Sequence, residues 1–149
     1  MAKKLTGLPK KAWDAFSRLV RVQDCLATTG FPFVGVCVTC DQRFHIRILQ
    51  AGHCFPGRTN GVLFHKELVN AQCGYCNETC HGRPKRYKER MKAKYGEEQF
   101  EQWKFESRLL IHDRDMDFEG RAERYKAELK EILTPLGYSS WKNLLGEER

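Results

Sequence analysis

Four cysteines fall into two chelating pairs, Cys37/Cys40 and Cys73/Cys76. Two CxxC pairs supply four thiolates, the full tetrahedral complement of a structural zinc, and a site closed by four sulfurs keeps no position open for substrate. The interval between the pairs is wider than in simple zinc ribbons, so something sizeable is folded into it. That interval contains Ala51-Gly52-His53. A histidine with a pKa near neutrality can take a proton from water, the work of a general base. Two small residues before it would let a backbone or a phosphate come close. The bland reading is a satisfied side chain at a strand end, the commoner fate of a lone histidine. Asn77 follows the last cysteine directly, and His81 comes four residues later. On an α-helix that spacing puts a carboxamide oxygen and an imidazole on one face, where both could ligate one divalent ion. Against it stands the habit of asparagine to cap helices.

These side chains need elements to hold them. Pro9 suits the start of a first helix and Gly30 its end, with Trp13, Phe16, Leu19, Val20 and Leu26 on one side. Val34, Val36 and Val38 alternate into the first cysteine pair. Phe44, Ile46 and Ile48 continue as a strand, with His53 at its end. Residues 55–63 are rich in turn formers and read as a loop, while 64–72 is ambiguous between loop and a short helical turn. Cys76–His81 is expected to open a helix that Gly82 and Pro84 end or kink. Further helices are predicted over 85–95, 97–112 and 117–133. Ser139 and Ser140 are placed to cap a last short one carrying Trp141, Leu144 and Leu145.

With 149 residues and 41% hydrophobic composition, the chain suits a modest core, and bound metal would add folding free energy to it. No apolar run is long enough to span a bilayer, and no apolar stretch follows the basic N-terminus as in a secretory signal. Cys25, Cys54 and Cys80 are left over as free thiols. Seven cysteines is an odd count with four in chelating pairs, which in a reducing compartment favours metal over disulfides, and a cytoplasm is the expected location. Residues 1–24 carry six Lys/Arg against two acids, and 83–94 carry seven against one; from Glu97 onward acids lead by thirteen to nine. A basic front with an acidic rear suits a polyanion-binding face and a separate helical arm, although a lysine-rich run is as often a solvated helix face. The expected division is an N-terminal helix (1–30), a zinc-bound core with its basic helix (31–95) and a C-terminal helical arm (96–149).

The pattern CVTC (37–40), AGH (51–53), Leu63-Phe64, QCGYCN (72–77) and YKERMKAKYGEEQFEQW (87–103) carries a resemblance. It is similar to the HNH, or ββα-metal, nuclease group, and more specifically resembles the phage NinG (Rap) recombination family over about residues 18–108. It is also similar to phage endonuclease VII, in which an asparagine directly after the fourth zinc cysteine is a magnesium ligand; by position that role falls to Asn77. The resemblance implies an α+β fold, a zinc-stabilised ββα-metal (HNH-like) core with helical additions, and action on branched recombination intermediates such as Holliday junctions or D-loops. Three positions depart from the HNH pattern. Gly52 stands where an aspartate ligand often precedes the histidine. Leu68 stands where a loop-pinning asparagine is usual, with Asn70 close by as the supporting residue. Asn77 replaces the last histidine, which leaves His81 as a second ligand.

The resulting expectation is a Mg²⁺-dependent endodeoxyribonuclease with structural Zn²⁺. His53 would activate water while Asn77 and His81 hold Mg²⁺, which keeps several waters and needs few protein ligands. Arg47, Arg58, Arg83, Lys85, Arg86 and Lys88 would contact the phosphates of branched double-stranded DNA. A homodimer fits symmetric cutting of a four-way junction, and phage recombination proteins are further expected partners. The helical stripes of 97–112 and 117–133 could supply a dimer interface or pack back on the core. The alternative from another class is a non-catalytic zinc module that binds DNA or a recombination partner.

Overall fold

In chain order the elements are α1 (Gly7–Thr29), β1 (Val34–Val36), β2 (Arg43–His45), β3 (Leu49–His53), β4 (Val69–Cys73), a π-helical turn (Tyr75–Thr79), α2 (Pro84–Tyr95), α3 (Glu97–Glu106), α4 (Phe118–Leu133) and α5 (Trp141–Leu144). The computed structural model describes residues 4–55 and 59–147. It is a mixed α+β arrangement with two two-stranded antiparallel sheets.

Helix α1 decides the layout because it is apolar on two sides. It buries Ala12, Trp13, Phe16, Leu19, Val20, Val22 and Cys25, and packs on α4 as well as on β1, β3 and β4. Phe16 meets Tyr125 with ring centroids 5.0 Å apart and Phe64 at 5.5 Å. Gly30 ends the helix in the left-handed region, φ 80°, its N–H donating to Leu26 O at 3.0 Å. At Gly35 on β1 a Cβ would stand 2.8 Å from Cys25 Sγ and 2.9 Å from Leu49 Cδ1, so only glycine lets α1 lie this close.

The stripe on α4 packs back: Phe118, Ala122, Tyr125, Leu129 and Leu133 are buried in the cluster that α1 shares with the strands. Burial of Phe118, Leu129 and Leu133 contributes about 1.5–3 kcal/mol each, which accounts for the docking of this helix. Helix α3 is shorter than predicted, stopping at Glu106 rather than His112. Ser107 Oγ donates to Lys104 O at 2.6 Å, while Thr59 Oγ1 and Asn60 Nδ2 take the carbonyls of Ser107 and Ile111 at 3.0 and 2.8 Å. The loop thereby competes for the backbone that would continue the helix. Phe105, Leu109 and Leu110 are left exposed, Leu110 at 89%.

The strand predicted from Phe44 onward is two strands. β2 pairs with β1 (Val34↔His45, Val36↔Arg43), and β3 pairs with β4 (Leu49↔Cys73, Ala51↔Ala71, His53↔Val69). A turn at 46–48 separates them, closed by Ile48 N–H to His45 O at 2.9 Å. The alternation misleads because Ile46 is wholly buried while Ile48 is 53% exposed. The ambiguous segment before Cys73 supplies β4, which is buried along its length. A second apolar cluster gathers Cys54, Phe55, Val62, Leu68, Tyr87, Met91 and Phe100 under α2 and α3.

Candidate metal centre and nucleic-acid surface

Cys37 and Cys40 lie in the turn from β1 to β2, Cys73 ends β4, and Cys76 lies in the π-helical turn. The four Sγ atoms are all within 4.8 Å of one another. Two hairpins and a turn thus converge on a four-sulfur cage, the donor set that suits zinc. Hydrogen bonds run into three of the four sulfurs, while burial and the neighbouring sulfurs raise the Cys40 thiol and push Cys73 up to about 12. Cys37 Sγ accepts from Cys73 N–H at 3.3 Å, Cys73 Sγ from Cys76 N–H at 3.5 Å, and Cys76 Sγ from Arg83 Nε at 3.1 Å. Burial alone would raise the Cys37 thiol, but the Cys73 N–H, the Thr39 hydroxyl and nearby amides outweigh it and bring it to about 6. The seven cysteines are free of disulfides, with Cys25 and Cys54 buried and Cys80 half-buried. Burial pushes the Cys25 and Cys54 thiols up to about 12.

Side chains alternate across β3 and β4, which sorts the predicted site residues by face. Leu49, Ala51 and His53 face α1; Gln50 and Gly52 face the π-helical turn and α2, beside Gln72 and Asn70. The His53 ring stacks on Trp13 of α1, centroids 4.9 Å apart and planes at 19°, and its Nε2 is 3.3 Å from Leu63 O. That contact favours the tautomer with hydrogen on Nε2. Asn77 lies on the other face, its Nδ2 donating to Gln50 Oε1 at 2.8 Å, while Gln50 Nε2 donates to Glu78 Oε1 at 2.8 Å. The structure therefore does not bring the imidazole and the carboxamide together, because they leave opposite faces of one hairpin.

Asn77 is inside the turn and caps nothing. The predicted shared helical face with His81 is also absent. The helix here is π-wound and ends at Thr79, and His81 follows in the left-handed region at φ 54°. Instead, Asn77 has Glu78 and Gln50 as polar neighbours. Their oxygens are hard donors of the type magnesium takes. Neither Glu78 nor Gln50 was expected from spacing.

Gln72 fills the space that Gly52 vacates. It is wholly buried, with Nε2 donating to Thr39 Oγ1 and Gly82 O, both at 2.9 Å. A Cβ on Gly52 would collide with Gln72 Oε1 and approach its Cβ to 3.1 Å. Asn70 does hold the hairpin: Nδ2 donates to Glu67 O at 3.1 Å and to Tyr87 Oη at 3.0 Å, and Tyr87 donates on to Gly52 O at 2.8 Å. Its loop-fixing role reaches α2 through Tyr87, a link with no signal in spacing.

The basic residues divide between structural and exposed roles. Arg83 lies against Cys76 Sγ and over the exposed Tyr75 ring at 5.9 Å. Arg86 donates to Thr39 O and faces Asp41 at 3.6 Å. Arg90 grips Asp41 with both terminal nitrogens, holding the left-handed knuckle residue at φ 63°. Lys85 is exposed on the first turn of α2, and Lys88 Nζ lies 5.3 Å from the Phe55 ring centroid. Arg47 is engaged by the C-terminal segment, donating to Leu145 O. Arg58 falls outside the described residues. No helix among the described residues is long and apolar enough to cross a membrane.

Neither a curated protein nor a solved structure matches the chain. A family model does: the one described as Bacteriophage Lambda NinG protein matches residues 1–134, which takes in the cysteine cage, both hairpins and α1–α4. The chain belongs to the NinG family of phage recombination-related proteins.

Proposed function

We propose that this protein is a zinc-stapled, structure-selective DNA endonuclease that acts on branched intermediates of phage recombination, Holliday junctions or D-loops, in the host cytoplasm. The observation that carries the reading is the hairpin β3–β4. It is clamped at one end by the cysteine cage, carries His53 at its other end, and is followed at once by Asn77. In the HNH pattern that the sequence resembles, metal ligand and base are successive strand residues, so they too leave opposite faces of the strand. A DNA backbone running along β3 would meet Asn77 beside Gln50 and His53 at the far strand end.

His53, oriented by Leu63 O and by its stack on Trp13, would take a proton from the attacking water at Nδ1. Asn77 and the Glu78 carboxylate would hold magnesium, with His81 the nearest further donor in sequence. When bound, that ion would stabilise charge on the phosphoryl group and the leaving oxygen. Lys85 and the other cations of α2 would neutralise flanking phosphates, giving shape-directed, salt-sensitive binding. Symmetric cutting of a four-way junction calls for two copies. The exposed Phe105, Leu109 and Leu110 are apolar surface on which a second copy or a recombination partner could bind.

The separation of His53 from Asn77 favours a second reading, a zinc module that binds branched DNA without cutting it. Purified protein incubated with synthetic four-way junction and linear duplex, with Mg²⁺ or with chelator, decides between them. Magnesium-dependent nicking confined to branched DNA is expected. His53→Ala should keep zinc and junction binding while losing cleavage. Tight binding without nicking in either metal condition establishes the second reading.

A further inference from the structure

Helix α5 closes one side of a cleft of about 440 Å³, whose other walls are α1 and the turn between β2 and β3. Lys10, Arg18 and Arg21 come from α1 and Arg47 from the turn, while Trp141 and Glu147 come from the α5 segment. Lys10 is paired with Asp14 at 2.6 Å. Arg21 is half-buried beneath Trp141, 4.7 Å from the ring centroid, with Nε on Ser17 O at 3.0 Å and Nη1 on Leu49 O at 3.3 Å. Arg18 is exposed and lies 5.7 Å from the same centroid. Arg47 donates to Leu145 O and faces Glu147 Oε1 at 3.7 Å. Four cations thus meet two carboxylates among the lining residues. Burial, and after it the neighbouring Arg18, lowers Arg21 to about 10.

We propose that this cleft binds a phosphodiester of a nucleic-acid strand, with the Glu147 carboxylate occupying the place of the phosphate on Arg47. A guanidinium fork matches the oxygens of a phosphate. The Trp141 ring holds two such forks by cation–π contact, so little side-chain freedom is lost on binding. The proposal rests on the reading of the chain as a DNA-acting protein. It adds to that reading a second phosphate-contacting surface, made by α1 and the β2–β3 turn and distinct from α2. Trp141 and Glu147 lie beyond residues 1–134, so the family match covers only the α1 and turn walls of this cleft.

The test is anisotropy titration of a labelled four-way junction and a labelled single strand across a salt series, with wild type, Arg18→Gln/Arg47→Gln and Glu147→Gln. The double variant should bind about tenfold more weakly at low salt. Its slope of log affinity against log salt should be shallower by about 2, since each lost phosphate contact removes about 0.9. Glu147→Gln removes the competing carboxylate and should tighten binding about threefold. An unchanged slope in a double variant with wild-type zinc content and thermal midpoint overturns the proposal. Weaker binding by Glu147→Gln, which leaves the cationic walls intact, also overturns it, as does a wild type that binds no nucleic acid. Inorganic phosphate that saturates the cleft in wild type, with the DNA slope unmoved in the double variant, would assign it to free phosphate instead. Junction cutting with an unmoved slope removes the cleft alone. A moved slope without cutting removes the endonuclease reading alone.

Discussion

Gly52 and Gln72 divide one space between them, and neither can be read without the other. In the HNH pattern Gly52 stands where an aspartate ligand often precedes the histidine. The structure adds that the vacated volume belongs to a buried amide fixed by Thr39 and Gly82. Restoring an acid by Gly52→Asp should therefore destabilise the fold by about 1–3 kcal/mol, the usual cost of overpacking, visible as a lowered urea midpoint. Gly52→Asp combined with Gln72→Ser should recover part of that loss; a single variant as stable as wild type would show that Gln72 swings aside freely. A second residue carries a pH signature. Asp24 on α1 accepts from Ala71 N–H at 2.6 Å. Burial pushes its carboxyl from 3.8 up to about 6, partly offset by that N–H and by Lys94. The folded state thus holds the proton more tightly than the unfolded chain. The contribution of this group is full below about pH 4 and is lost as pH rises through about 6. Asp24→Asn keeps an acceptor for Ala71 and should stabilise the protein by about 2 kcal/mol at pH 7. It should also flatten the fall in unfolding free energy between pH 4 and 6; an unaltered pH profile would rule Asp24 out as its source.

At the scale of elements, the cage and the α1–α4 pair stabilise different parts of the chain. If the cage holds zinc as proposed, stripping it should release β1–β2 and the π-helical turn, because their short strands have little apolar surface of their own. Helices α1 and α4 are joined through Phe16, Tyr125 and Leu133 and need no metal for that contact. After chelation a thiol reagent should modify Cys37, Cys40, Cys73, Cys76 and Cys80 quickly. Cys25, on the buried face of α1, should react slowly, and the helical circular dichroism signal should largely persist. Equally fast labelling of Cys25 would mean that the metal holds the whole fold. The same division explains what was legible from residue order. The CxxC pairs, the α4 stripe and the Ser140 cap are local patterns, and each is present as expected. The split of β2 from β3 was hidden because Ile46 and Ile48 keep period-2 spacing across a turn. The divergence of His53 from Asn77 was hidden too: spacing along the chain says which residues are near in sequence, whereas strand pairing decides which face each one leaves.

Among the described residues the larger of the two apolar clusters joins α1 and α4 to the strands, and this bears on whether 31–95 can stand alone as a nuclease unit. The α1-facing side of β3 and β4 carries Leu49, Ala51, Val69 and Ala71, all buried in one cluster with Phe16, Leu19, Tyr125 and Leu133. A fragment of residues 31–95 would expose that side to water. It would also lose Asp24, the acceptor for Ala71 N–H, and Phe100, which covers Phe55 with centroids 5.4 Å apart. Uncovering four side chains of this kind costs several kcal/mol at about 25 cal/mol per Å² of apolar surface, comparable to the whole stability of a small domain. Cysteine cages do fold small modules alone, so zinc could still hold the knuckle together. The long hairpin, however, needs α1 to fix the His53 ring through Trp13. The expectation is that zinc-loaded 31–95 shows no cooperative thermal transition and no cleavage. A fragment of residues 1–134, which keeps both helices, should show a cooperative transition with a midpoint below that of the full chain, since it lacks the buried Leu144. A cooperative melt for 31–95 would show instead that the N-terminal helix and the C-terminal arm are additions to a self-sufficient centre.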